Sequence, residues 1–372
     1  MTDSKIFVPL LPPLLHLAVV KESINLYNDF QIETLDKAYR RIEIGISITS
    51  EDSENYPGCN SAQKKLLRIP PRLRKRVQEA IHGLKSGVEL WKKEHSSILE
   101  LDDEERIFYW RCDGTIDTVK TAQQLILNSN IDIKKRFHLA CKYCLEDNIK
   151  TLWTEMEDTS KTEIRETADS WVVSYWMRWL RDGSMVTWKH VILSCYSYTN
   201  YGDIRMNSFF PSLLPKEREF FLRQLIIVTN DDTRQCRYAL TTEEEEKILT
   251  SCPDEVLLSY LHWPLRNFFL ETAERIWSYF DIYSYKNLLS RLLSNEINRE
   301  VFDFYDFFEC FWNSSPEHLR ERVKNYRVLE RKLNRVFMKL EEIRRKRKAD
   351  FDELQHQKTK KISRDIIQMR WI

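Results

Sequence analysis

Residues 69–98 read IPPRLRKRVQEAIHGLKSGVELWKKEHSSI. Pro70 and Pro71 suit the first turn of a helix, where proline's fixed φ fits and its missing N–H costs nothing. From there Leu73, Val77, Ile81, Leu84, Val88, Trp91 and Ile98 recur at steps of three, four or seven. They form one apolar stripe along about seven helical turns, and such a stripe has to be covered by other elements. Gly83 and Gly87 sit inside it at a cost of about 1 kcal/mol each relative to Ala, which predicts a close helix neighbour at both.

The same period recurs on either side. A first helix is expected after Pro12-Pro13, with Leu15, Val19, Leu26 and Phe30 on one face and Ser23 interrupting it. Residues 47–63, with Ser53, Pro57, Gly58 and Asn60, read as a long loop. After Gly114, the residues Val119, Ala122, Leu125 and Ile126 mark a short helix closed by Asn128, and 133–143 with 147–156 form a helix pair. Trp171, Val172, Tyr175, Trp176, Trp179 and Leu180 make an aromatic helix closed by Asp182-Gly183, while 189–214 has no clear period. Beyond Pro215, Thr242 and Glu245 have the spacing of a capping box, and Pro253, Pro264 and Pro316 each precede an apolar periodic segment.

The last periodic segment is of another kind. Tyr326, Leu329, Leu333, Val336, Leu340 and Ile343 step by 3, 4, 3, 4, 3, a seam of fewer than three heptads. That is too short to argue for a free coiled coil, so the helix is expected to pack back on the body. These patterns give an all-α fold: an irregular, α-solenoid-like stack of antiparallel helices with a long basic C-terminal helix. Three regions are expected: an N-terminal helical region 1–110, a helical-repeat-like region 111–319, and a basic C-terminal helix and tail 320–372.

Composition agrees with this. Seven glycines in 372 residues is far below ordinary usage, which disfavours sandwiches, propellers and doubly wound nucleotide folds. Eleven tryptophans imply a large aromatic core. The net charge of +1 divides into 18 Lys/Arg against 8 Asp/Glu from Arg320 onward and 40 against 49 before it, a surplus of ten positive charges set against nine negative. The apolar run Phe7 to Val20 contains three prolines and His16 and is not followed by a small-residue cleavage site, so it is not read as a leader. No stretch approaches 18 uninterrupted apolar residues, so no membrane partner is expected. Eight scattered cysteines in so long a chain suggest reduced thiols and an intracellular protein, cytoplasmic or nuclear.

Residues 137–153, FHLACKYCLEDNIKTLW, resemble the helix–turn–helix half of an ankyrin repeat. Phe137 to Ala140 stand in its leucine-histidine-leucine-alanine places, and Ile149 and Leu152 in second-helix core places. Cys144 stands where that family has its turn glycine, Leu145 replaces the usual histidine, and only one unit is visible. The order Leu-Pro-Pro-Leu-Leu near the start, Ile-Pro-Pro-Arg-Leu at 69–73, Gly-Thr-Ile-Asp at 114–117 and the segment from Arg136 resembles a large, spider-expanded family of uncharacterised arachnid α-helical proteins. That resemblance implies architecture and supplies no chemistry.

Catalytic signatures are scarce. No two glycines lie closer than Gly83 and Gly87, so no phosphate-cradling loop is present, and no nucleophile elbow or paired metalloprotease histidines occur. His138, Cys141 and Cys144 are spaced by three and lack a fourth ligand; buried cysteines beside a hydrogen-bonded histidine are the expected reading. Asp102 to Glu105 and Glu243 to Glu246 begin apparent helices, where carboxylates complement the positive helix end. Trp171, Trp176, Trp179 and Trp188 read as core before they read as a binding surface. No catalytic, cofactor-binding or metal residue is assigned, and no cofactor.

Two basic tracts remain. Lys64, Lys65, Arg68, Arg72, Arg74, Lys75 and Arg76 place seven cations in 13 residues with no acid, interleaved with Leu66, Leu67, Ile69 and Leu73; a solvated face or pairing with the acidic body is expected. Lys346-Arg347, ten residues, then Lys358-Thr359-Lys360-Lys361 has the spacing of a bipartite nuclear-import signal for an import receptor. The sequence therefore suggests a non-catalytic protein–protein interaction module whose helical grooves hold a partner protein. A nucleic-acid-associated nuclear protein using the basic tail and the 64–76 tract is the alternative, and an enzyme without a recognisable motif the second.

Overall fold

The computed structural model describes residues 12–46, 57–99, 108–167, 170–182, 204–218, 231–261, 265–294 and 304–346. The protein is all-α: among the described residues there is no strand, and extended pairing is confined to an isolated antiparallel bridge between Trp110 and Ile116. The chain divides into two compact units, Met1–Arg275 and Ile276–Ile372.

The first unit opens with α1 (Leu14–Asp29), α2 (Ile32–Glu43), α3 (Pro57–Arg68) and α4 (Pro71–His95). α1 packs on α4, and α2 on α3 and α4, around Leu26, Leu35, Ala38, Ala62, Leu66, Val77 and Ile81. Each such leucine or isoleucine contributes about 1.5–3 kcal/mol by leaving water. In α4 the stripe from Val77 to Trp91 is buried as its spacing requires, and the helix stops at His95, so Ile98 lies in the following turn. In α1 the buried residues are Val20, Ser23 and Leu26, and Val19 and Phe30 pack against the same core, so the expected stripe departs only at Leu15, which is 45% exposed. The Ser23 hydroxyl is satisfied at 2.7 Å from the Val19 carbonyl, with the Val77 carbonyl at 3.3 Å, which lets a polar residue sit in the core.

Two expectations for this region are corrected. Residues 57–63 are helix, because Pro57 starts α3 and its polar face is used: Asn60 and Gln63 are buried, and Gln63 donates to the Ile46 carbonyl at 2.7 Å. Gly87 has no close neighbour either, since a Cβ built there meets nothing within 4 Å.

Next come α5 (Thr118–Leu127), α6 (Ile133–Lys142), α7 (Glu146–Glu155), α8 (Asp158–Thr167) and α9 (Trp171–Asp182). Asp117 and Asp132 cap α5 and α6 by accepting from backbone N–H groups. The expected helix pair is α6 and α7 to within a residue, and α6 also contacts α5 and α9. Cys144, in the turn between them, has φ +51°, a left-handed conformation that explains why a glycine would suit this place. Two 3₁₀ turns at Met206–Ser208 and Phe210–Ser212 follow, then α10 (Asp231–Arg237), α11 (Thr242–Ser251), α12 (Pro253–Leu258) and α13 (Arg266–Ile276). The capping box of α11 is Thr241 with Glu244, one residue earlier than the sequence suggests: Thr241 accepts from the Glu244 N–H and Glu244 from the Thr241 N–H. Pro253 and Pro316 start helices as expected, and Pro264 lies outside the described residues.

The second unit holds a 3₁₀ turn at Trp277–Tyr279, α14 (Ile282–Leu292), α15 (Phe304–Ser314), α16 (Glu317–Val323) and α17 (residues 327–346). Its core is aromatic. Tyr285, Phe308 and Phe311 are fully buried, and Phe337 of α17 meets Phe308 at 6.2 Å and Trp312 at 5.3 Å between ring centroids. Leu329, Leu333, Val336 and Leu340 are buried, so the terminal seam packs within this unit as its length implied.

Candidate functional site: a cationic corner of the first unit

The tight join between α3 and α4 at Pro70-Pro71 has a chemical consequence. Neither proline has an N–H, so the last carbonyls of α3 lose donors that a continuing chain would supply. Arg74 replaces them: its Nε reaches the Ile69 and Leu66 carbonyls at 3.0 and 3.2 Å, and its Nη2 the Leu67 carbonyl at 3.3 Å. Lys65 is also engaged, donating to Asp29 Oδ2 at 2.7 Å and lying 5.3 Å from the centre of the Phe30 ring.

The other five cations of the tract, Lys64, Arg68, Arg72, Lys75 and Arg76, are exposed and pair with no acid among the described residues. Of the tract, Lys65 thus pairs with an acid and Arg74 with backbone carbonyls, while the other five form a solvated face. The first turn of α4 contains no acid, so cations stand at the helix end where the dipole disfavours them. Leu67, 46% exposed, and half-buried Leu73 lie among them. Beside the corner an open cleft of about 420 Å³ runs between α1 and α3, lined by Glu22, Asn25, Leu26, Asp29, Lys65 and Arg68.

At the other end of the chain, Lys346 is the last described residue of α17, and Arg347, Lys358, Lys360 and Lys361 lie outside the described residues. Lys346 is helical and pairs with Glu342 at 3.0 Å. Hydrogen bonds from Lys339 and Lys346 pull the Glu342 carboxyl down to about 2.

The residues weighed as a metal group do not meet as one. Among the described residues no three His, Cys, Asp or Glu side chains gather into a possible metal site. Cys141 is wholly buried, which pushes its thiol well up. The histidine is a correction: His138 Nε2 is buried and finds no hydrogen-bond partner among the described residues, and burial lowers its basicity.

The hydrogen-bonded core histidine is His95, which the sequence did not single out. It stacks on Trp91 at 3.9 Å, its Nδ1–H donates to the Trp91 carbonyl at 2.7 Å, and Nε2 accepts from the Tyr143 hydroxyl at 3.1 Å. Both ring nitrogens are satisfied in the neutral form, and burial, with Arg205 nearby, pushes its pKa down to about 2. Of the tryptophans, Trp176 is fully buried and Trp179 half-buried under the Lys150 ammonium at 5.5 Å from its ring; Trp188 lies outside the described residues.

A buried ionisable cluster also escaped the sequence. Arg234 and Arg237 of the short α10 are each 1% exposed. Arg234 donates to the Tyr238 hydroxyl at 2.6 Å and lies 3.6 Å from Asp113, and Arg237 donates to Ser259 at 2.9 Å. These bonds tie α10 to the turn before α5 and to the end of α12. The groups are turned on one another, and their role in the fold is to brace three segments far apart in sequence.

Comparison with family models, with curated proteins and with solved structures finds no match to this chain.

Proposed function

We propose that the protein is a non-catalytic interaction module that docks an acidic, partly apolar segment of another protein on the α3–α4 corner. The supporting observation is the set of five exposed cations, unpaired with any acid among the described residues, around Leu67 and Leu73. An acidic helix end there would have been the stable choice, so the cations carry a stability cost that a bound anion removes. The leucines favour a protein ligand over a phosphate backbone, because an apolar anchor inside a charged rim is the anatomy of a protein interface.

The test is a calorimetric titration of the full chain with a 15-residue peptide carrying Asp and Glu around a single Leu. Binding at 50 mM salt that weakens tenfold or more in the variant Arg68→Glu/Arg72→Glu/Arg76→Glu, and also weakens in Leu67→Ala at high salt, supports the reading. A peptide that binds both variants as it binds the parent, or a DNA duplex that binds the corner while the peptide does not, rejects it. Circular dichroism establishes that each variant remains folded.

A further inference from the structure

The outer face of α17 carries a second cationic feature, in the second unit and independent of the α3–α4 corner. The inner face of the helix is fixed by burial of Leu329, Leu333, Val336 and Leu340. With 100° per residue, Arg327, Arg331 and Arg335 then lie along the opposite ridge at i, i+4 and i+8, and all three are exposed. Within the same helix the later cations are neutralised: Lys339 and Lys346 by Glu342, Arg345 by Glu341 at 3.3 Å, and Arg344 by Glu309. Among the described residues none of the three earlier arginines pairs with an acid; Arg331 donates to the Arg327 carbonyl at 3.2 Å. Glu330 is the one acid between residues 322 and 340, and it lies off the ridge.

Like charges at i, i+4 destabilise a helix, so two such pairs in a row are not explained by stability. From this geometry we infer that Arg327, Arg331 and Arg335 form a binding ridge for the phosphate backbone of a nucleic-acid duplex. The guanidinium fork matches phosphate oxygens two at a time, and successive forks rise about 6 Å along the axis, a regular spacing that suits a regular polyanion. A membrane surface fits less well: an interfacial helix inserts its apolar face, and here that face is buried, with Phe337 packed on Phe308 and Trp312. The bound duplex is read through its backbone, so the ridge gives affinity without sequence preference.

Fluorescence anisotropy of the full chain, in the background of the corner variant above, tests this with labelled 20-base-pair DNA and RNA duplexes. A poly-glutamate peptide and anionic phospholipid vesicles serve as competing polyanions. Three phosphate contacts predict a slope of log K against log salt of about −2.7 for DNA. Replacing Arg327, Arg331 and Arg335 together by Gln should remove that slope and weaken duplex binding at least tenfold, with the helical signal retained. Arg345→Gln, on the same ridge but already paired, should change nothing. Loss of binding to one duplex form only assigns the ridge to that form. The proposal is overturned if neither duplex binds at 50 mM salt, if the triple Gln variant binds as the parent does, or if poly-glutamate or vesicles bind the ridge in preference to both duplexes.

Discussion

Gly87 and Thr241 show how much a single position can settle. At Gly87 the sequence suggests a helix crossing, yet the space above its Cα is open, so the glycine is only a helix-interior entropy cost. Gly87→Ala should therefore raise stability by about 1 kcal/mol in urea unfolding; a loss instead would mean that something does approach there. At α11, Thr241→Ala should cost about 1 kcal/mol while Thr242→Ala costs little, because only Thr241 accepts from the Glu244 N–H. Equal losses at the two would put the helix start elsewhere. The Thr-Thr-Glu-Glu-Glu-Glu run supports either start locally; in the fold it is Glu244 that is buried, accepts from the Thr241 N–H and lies 3.5 Å from Arg218.

His95 gives the molecule a pH dependence. Its folded pKa is depressed to about 2 against an ordinary 6.5, so below pH 6.5 the unfolded chain takes up a proton that the folded one refuses. Stability is complete above pH 6.5 and falls by about 1.4 kcal/mol per unit as pH drops toward 2. Between pH 7 and 5 the loss from this group is about 2 kcal/mol, measurable as a shift in the urea midpoint. His95→Asn should flatten that part of the profile; an unchanged slope would assign the effect to other groups.

Among the elements, those with a clean period were legible. The stripe of α4, the α6–α7 pair and the seam of α17 could each be read from spacing, since burial of one helical face leaves a local trace. α3 was not, because it buries Asn60 and Gln63 and so lacks an apolar signature. Leu333→Ala measures how firmly the last helix is held: removing a 2%-exposed leucine should cost about 2–5 kcal/mol. A loss below 0.5 kcal/mol would mean that α17 is loosely docked.

Across the whole molecule, what the sequence left dark depends on distant partners. Arg234 is buried beside Thr115 and Asp113, more than a hundred positions away, and no window around 234 reveals it. The same limit governs the candidate surfaces: a cation in a tract is visible in the sequence, but whether it caps a carbonyl like Arg74, pairs like Lys346 or stands open like Arg72 depends on what folds beside it. Deleting residues 320–372 is therefore a poor way to test the basic tail. It removes the helix that covers Phe308 and Trp312, and the truncated chain should bind a hydrophobic dye such as ANS that the intact chain does not.

Chain order within the second unit also bears on synthesis. Phe308, Phe311 and Trp312 leave the ribosomal exit tunnel before Leu329 to Leu340, whose helix covers them, can follow. The second unit thus closes only once α17 has emerged as well, and until then the nascent chain exposes aromatic surface for which holding chaperones would compete.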